Sequence, residues 1–139
     1  MPTITDHVQL EEVLRRLNTD RACAIVDPKT LREVIVWADR KSGWAAQAAA
    51  KDEPSADAKA QLAANGFRVE RDDRAGAPLV VYRAYGEFPD AAAAARAGLG
   101  LFQILWNIAG DEWLWVTDIK YDKRGSAPQR PTPWPPRAT

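Results

Sequence analysis

Three features of the sequence predict an α+β fold built from two split βαβ units. The first is the junction VVYRAYGEFPDAAAAARAG at 80–98, where β-branched and aromatic residues run through Gly86 and Pro89 into five consecutive alanines. A strand passing into a helix has that composition. The second is an internal match. VIVWADRKSGWAAQAAAK at 34–51 lies in register over LVVYRAYGEFPDAAAAAR at 79–96, each an apolar run, a short polar turn and an Ala-rich segment ending in a basic residue. The third is that a strand pattern follows each Ala-rich segment, giving the order βαββαβ. That order is the ferredoxin-like sandwich, here with an extra N-terminal helix and strand and a Pro-rich C-terminal tail.

Each element has its own justification. Val8, Leu10, Val13, Leu14 and Leu17 fall at helical spacing, and Asp6 with Gln9 three positions on forms a capping-box pattern, so a helix is predicted over 6–18. ACAIVDPKTLREVIVWAD reads as two strands about Asp27-Pro28-Lys29-Thr30, where proline presets the turn dihedral and aspartate bonds the backbone ahead of it. From Gly43 to Asn65 helix formers lie on both sides of Pro54, which predicts one kinked helix or two short ones leaving through a left-handed Asn65-Gly66. FRVERDD and PLVVYRAY are strands joined by RAGA at 74–77. After a strand over 79–85, Pro89 takes the first turn of a helix and Asp90 its positive end. The second half of that helix, LGLFQILWNIA, is apolar on nearly every side and must be packed between other elements. Gly110 stops it, and EWLWVTDI is the last strand. Residues 125–139, with five prolines, read as an extended tail following a single α+β domain over 1–124. The PxxP spacing in that tail is read as a passive or locally docked segment rather than an SH3-type ligand.

A chain of 139 residues suits one domain that buries a core without metal or disulfide staples. Lys plus Arg equal Asp plus Glu at 19 each, so no strong field of either sign selects a nucleic-acid or membrane partner. Cys23 is the sole cysteine, which excludes an internal disulfide, and its setting in RACAIV reads as a core thiol. The N-terminus has no basic start followed by an apolar run, and LGLFQILWNIAG is too short to span a bilayer. The expectation is a cytoplasmic protein with no membrane partner.

Chemistry-bearing patterns are sparse. His7 is the sole histidine and lies on an amphipathic helix near a chain end, a solvated position rather than a nucleophile's base. The acidic pairs Asp72-Asp73 and Asp111-Glu112 fall where a turn or strand start leaves them in water. GLG at 98–100 lies inside a helix, where small residues serve packing rather than phosphate binding. No catalytic residue, metal site or cofactor is therefore predicted. Arg68, Arg71, Arg74 and Arg83, interleaved with Glu70, Asp72 and Asp73, read as a solvated edge of mixed sign.

The aromatic distribution supplies the candidate binding surface. One face of a ferredoxin-like sheet meets the helices and the other is free, and alternation assigns the faces. Keeping Arg83 out of the core puts Val81, Arg83 and Tyr85 on the free face and Val80, Tyr82 and Ala84 beneath the helices. Burying Leu114 and Val116 sends Trp113, Trp115 and Thr117 outward, and the first core strand adds Ile35 and Trp37. The predicted binding residues are Trp37, Arg83, Tyr85, Trp113 and Trp115. Such a face is covered by the N-terminal helix or tail, buried in a homodimer, or used to recognise a partner.

Over about residues 33–119 the arrangement resembles the SPOR domains that bind bacterial cell-wall glycan, in which a strand ends in a Gly-x-Phe turn followed by an Ala-rich helix. Gly86-Glu87-Phe88 and Ala91 to Ala95 stand in those places. The strand before Gly86 departs from the usual valine alternation and no signal or membrane anchor is expected from the sequence, so membership is not drawn. RNA-recognition domains share the expected topology, but LVVYRAYGEF does not match their glycine-aromatic third strand. Dimeric ferredoxin-like enzymes carry a cavity histidine or carboxylate pair, for which this chain offers little. The sequence thus favours a non-enzymatic protein-interaction module, in the manner of a small bacterial regulator, immunity protein or inhibitor of a larger complex, with a protein partner or a homodimer. Nucleic-acid or glycan binding through the aromatic face, or a small dimeric enzyme, is the alternative.

Overall fold

The computed structural model describes residues 2–17, 21–39, 43–72 and 80–120. The tail predicted over 125–139 and the turn predicted at 74–77 lie outside the described residues. The elements, in order, are β1 (Thr3–Ile4), α1 (His7–Arg15), β2 (Arg21–Val26), β3 (Glu33–Asp39), β4 (Gly43–Ala50), α2 (Ala56–Ala64), β5 (Phe67–Asp72), β6 (Val81–Phe88), α3 (Ala91–Trp106) and β7 (Trp113–Lys120). The strands form one antiparallel sheet in the order β1-β7-β2-β3-β4-β6-β5. The helices pack on one face of it: α3 on β3, β4 and β6, α1 on α3, and α2 on β5 and α3.

The local signals explain most of these elements. Asp6 caps α1 by accepting from the Gln9 backbone N–H at 2.9 Å, and Gln9 Oε1 accepts from the Thr5 N–H at 2.8 Å. One orphan donor of the helix and the N–H of the residue before its cap are satisfied in this way, and Leu10 and Leu14, one turn apart, are buried. In the β2–β3 turn, Asp27 Oδ2 accepts from the Thr30 N–H at 3.0 Å and from its hydroxyl at 2.6 Å, the local bonding that aspartate offers a turn. Asp90 caps α3 through the Ala93 N–H at 2.8 Å, so Pro89 stands before the cap rather than in the first turn. The helix ends at Asn107, left-handed at φ 53°, three residues before the glycine expected to stop it.

The four-stranded ferredoxin-like plan is not what the chain adopts. The sheet has seven strands, and the first Ala-rich segment is strand β4 rather than a helix. Alanine favours a helix by only tenths of a kcal/mol per residue, and eight residues are too few for a stable isolated helix. In the sheet Gly43 to Gln47 pair with β3 on one side and Trp44 to Ala50 pair with β6 on the other. Helix α2 begins only after Pro54, where Ser55 caps it by accepting from the Ala58 N–H. Helix connections between strands of like direction persist in shifted form. α2 joins β4 to β5, which flank β6, and α3 joins β6 to β7 across β4, β3 and β2.

Strand β6 runs through Gly86 to Phe88 rather than turning there. Gly86 pairs with both Ala46 and Phe67, and a Cβ on it would lie 2.7 Å from the Gly66 carbonyl oxygen and 2.8 Å from Phe67 Cδ1. The α2–β5 turn thus rests directly on this residue. Gly86→Ala is expected to destabilise the protein by roughly 1–3 kcal/mol through forced displacement of that turn. An unchanged urea midpoint would refute this account of the glycine.

Candidate functional site

The sheet's two faces hold different residues from those predicted at β7. On the helix face Cys23, Ile25, Val34, Val36, Ala46, Ala48, Phe67, Ala84 and Phe88 form one core with α1, α2 and α3, and Trp113 belongs to it. Trp113 is 7% exposed, its ring centroid 6.1 Å from that of Phe102. Trp115 packs against the same core and lines a cleft with Val13 and Leu17 near the end of α1. The outward placement of Trp113 and Trp115 is therefore corrected: they face the helices, and Val116 lies on the opposite side. Leu114 and Val116 are no less apolar than the tryptophans, so alternation alone could not choose between the two registers of β7.

The other face keeps the predicted set from β3 and β6. Ile35 and Trp37 share a cluster with Ala22, Ala24 and Ala45, and Tyr85 and Val116 pack against it. The Trp37 and Tyr85 rings lie 6.0 Å apart. Trp37 is 2% exposed, so it is a packed residue rather than an open platform, with alanines as its pairing partners on both neighbouring strands. Arg83 is on this face but is held by Asp72, its guanidinium 2.6 Å from the carboxylate, with the two side chains only 11% and 8% exposed. That pairing corrects the expectation that Asp72 lies in water. The predicted binding residues are thus divided: Trp37, Arg83 and Tyr85 on one face, Trp113 and Trp115 on the other.

A polar residue that the sequence reading passed over sits in the middle of this face. Gln47 of β4 lies between Ile35 and Tyr85, its pairing partners, and is 0% exposed. Neither its Oε1 nor its Nε2 has a hydrogen-bond partner among the described residues. Only the interruption of an alanine run marked it. The remaining chemistry-bearing residues stay apart. His7 opens α1 exposed to solvent, and no cluster of three or more metal-ligating side chains occurs among the described residues. Cys23 is fully buried, and burial pushes its thiol up to about 12 from an ordinary 9.0.

An ordered polar cluster does form, at the far edge of the sheet. The Arg68 guanidinium sits 4.6 Å from the centre of the Tyr85 ring, and its Nε donates to Glu70 at 2.9 Å. Tyr85 donates its hydroxyl hydrogen to Glu87 at 3.0 Å. On the helix side of β5 a cavity of about 460 Å³ opens between this strand and α2, lined by Phe67, Val69 and Arg71 of β5, Lys59 and Ala63 of α2, and Tyr82. The sequence reading gave Lys59 no role. Its signal is the alternation of Phe67 and Val69 with Arg68 and Glu70, which marks a half-buried strand but does not show that the strand is outermost.

The fold and site define an α+β protein with helices on one face of a seven-stranded antiparallel sheet and a charged aromatic cluster at one edge. Compared with protein-family models, curated proteins and solved structures, the chain matches none. No helix among the described residues is long and apolar enough to cross a membrane.

Two measurements check this description. Gln47→Met removes a buried amide without a partner while keeping an unbranched side chain, and is expected to raise stability by about 1–3 kcal/mol with an unchanged denaturant slope. A loss of stability would show that the amide is bonded in solution. For Cys23, the folded chain keeps the proton that the unfolded chain releases near pH 9. Its contribution is therefore intact below that pH and lost as pH rises from about 9 to 12. The difference in unfolding free energy between the native chain and Cys23→Ala should shrink across that window, by up to about 1.4 kcal/mol per pH unit. A flat difference would mean that the thiol is hydrated.

Proposed function

We propose that the protein acts without catalysis by binding another protein, in the manner of a small regulator, immunity protein or inhibitor of a larger complex. The observation that carries this reading is the Arg68–Tyr85 cluster at the sheet edge. Arginine and tyrosine are among the residue types most often dominant in protein interfaces, and here they lie against each other at an exposed edge. Glu70 accepts from the guanidinium and Glu87 from the phenol, so the two side chains belong to one polar cluster. The cluster carries both signs of charge within a few ångströms, which suits a protein surface with complementary charges better than a phosphate backbone of one sign.

Affinity capture on the immobilised protein from its source cells, with mass spectrometry, tests the reading. A partner protein should be recovered by the native chain and by His7→Ala, and lost with Arg68→Glu, since truncating such an anchor alone costs roughly 2 kcal/mol or more of affinity. Equal recovery by Arg68→Glu, or recovery of nucleic acid or glycan in place of a protein, would refute it.

A further inference from the structure

We propose that the groove between α2 and β5 takes an extended peptide segment of the partner protein, apolar at one end and acidic at the other, which adds to β5 as a further strand. This rests on the protein-binding reading above and names the chemistry of the segment bound.

The two edges of the sheet differ. β1 closes one edge with two residues, too short a template for another strand. β5 closes the other with six, paired to β6 in unbroken register from Phe67–Gly86 to Asp72–Val81. Natural edges are blunted by bulges, prolines, short length or charged side chains, and of these β5 has only the charges, at Arg68, Glu70, Arg71 and Asp72. No described strand pairs with its outer side. A six-residue strand offers about 20 Å of ladder, enough for the main-chain hydrogen bonds of an added strand.

The groove supplies specificity beside that ladder. Phe67 and Val69 give it an apolar stretch, and Arg68, on the opposite side of β5, also lines it, so the cavity reaches round the outer edge of the strand. Its charged lining is Lys59, Arg68, Arg71 and Glu53, with Glu53 paired to Lys59. Arg68 is partly answered by Glu70. Glu53 already uses these cations: the hydrogen bond and charge of Lys59, with a smaller contribution from Arg71, hold its carboxyl below the usual range. An incoming carboxylate that displaces Glu53 from Lys59 meets the same two cations. The Lys59–Glu53 pair is exposed, and such pairs hold too weakly to resist exchange for a better-placed partner.

The test uses fluorescein-labelled synthetic peptides of about eight residues that alternate threonine with two valines and then two glutamates, made in both orders. Anisotropy should show saturable binding of one order. Binding should weaken about tenfold in Lys59→Glu and strengthen in Glu53→Gln, as charge complementarity requires. N-methylation of alternate peptide nitrogens should abolish binding in one phase and spare it in the other. Circular dichroism confirms that these surface variants are folded. Absence of saturable binding by either order, indifference to Lys59→Glu, or a β5-dependent dimer in sedimentation overturns the proposal. If a captured protein still depends on Arg68 while the peptides fail, the groove proposal falls and the protein-binding reading stands.

Discussion

The close approach of α3 to the middle of the sheet is the constraint on which the rest of the structure depends. Ala91, Ala94, Ala95 and Gly98 are the buried residues of the helix's first half, and Ala46 and Ala48 of β4 share their core. A Cβ on Gly98 would stand 3.1 Å from Val36 Cγ2, so the helix lies nearer β3 than a side chain at this position would ordinarily allow. Small residues on both surfaces make this possible and explain why an alanine-rich strand is stable at the centre of the sheet. Length matters as well. Sixteen helical residues span about 24 Å, and the four strand spacings from β6 to β7 come to about 19 Å. The crossover that delivers β7 beside β2 is thereby fitted to the sheet it crosses.

The same helix accounts for the tryptophans of β7. Its first half is small and its second half is large, with Leu101 and Phe102 buried and Trp106 packed on Phe102. Where the helix widens, the space between it and the sheet requires bulky partners, and Trp113 fills it. Alternation within EWLWVTDI could not show this, because both sides of the strand are apolar. The deciding information lies in α3, more than ten residues away in sequence.

What was legible in the sequence is what local chemistry determines. The cap at Asp6, the turn at Asp27 and the left-handed exit at Gly66 all stand where their residues point, and Asp90 marks the start of α3 as its cap, one place outside the first turn expected for it. So does the alternation of β6, which correctly set Tyr85 apart from Ala84. What was not legible required long-range pairing. GWAAQAAA and AAAAARAG have similar composition, yet the first is a strand and the second opens a helix. The difference is a cap at Asp90 and sixteen residues of helix in one case, and a short segment between two waiting strands in the other. Propensity differences of tenths of a kcal/mol give way to hydrogen-bond ladders on both sides of the strand. The candidate site was half visible for the same reason. The alternation of Arg68 and Glu70 is local, but the edge position of β5 is fixed only by the strand order.

The edge is usable for recognition only if β5, with a single neighbouring strand, keeps its place. Its helix face is tied down by Phe67, which meets Phe88 edge to face at 5.3 Å. Its other face is tied down by the buried Arg83–Asp72 pair, which links the last residue of β5 to β6. Removing one member of such a pair typically costs about 3–5 kcal/mol, because the remaining charge is stranded away from water. That asymmetry makes the pair a poor source of net stability but an effective lock on position. Arg83 thus acts on the edge indirectly: by tying the last residue of β5 to β6 it fixes the strand that carries Arg68 beside Tyr85, where a strand with one neighbour would otherwise be free to fray.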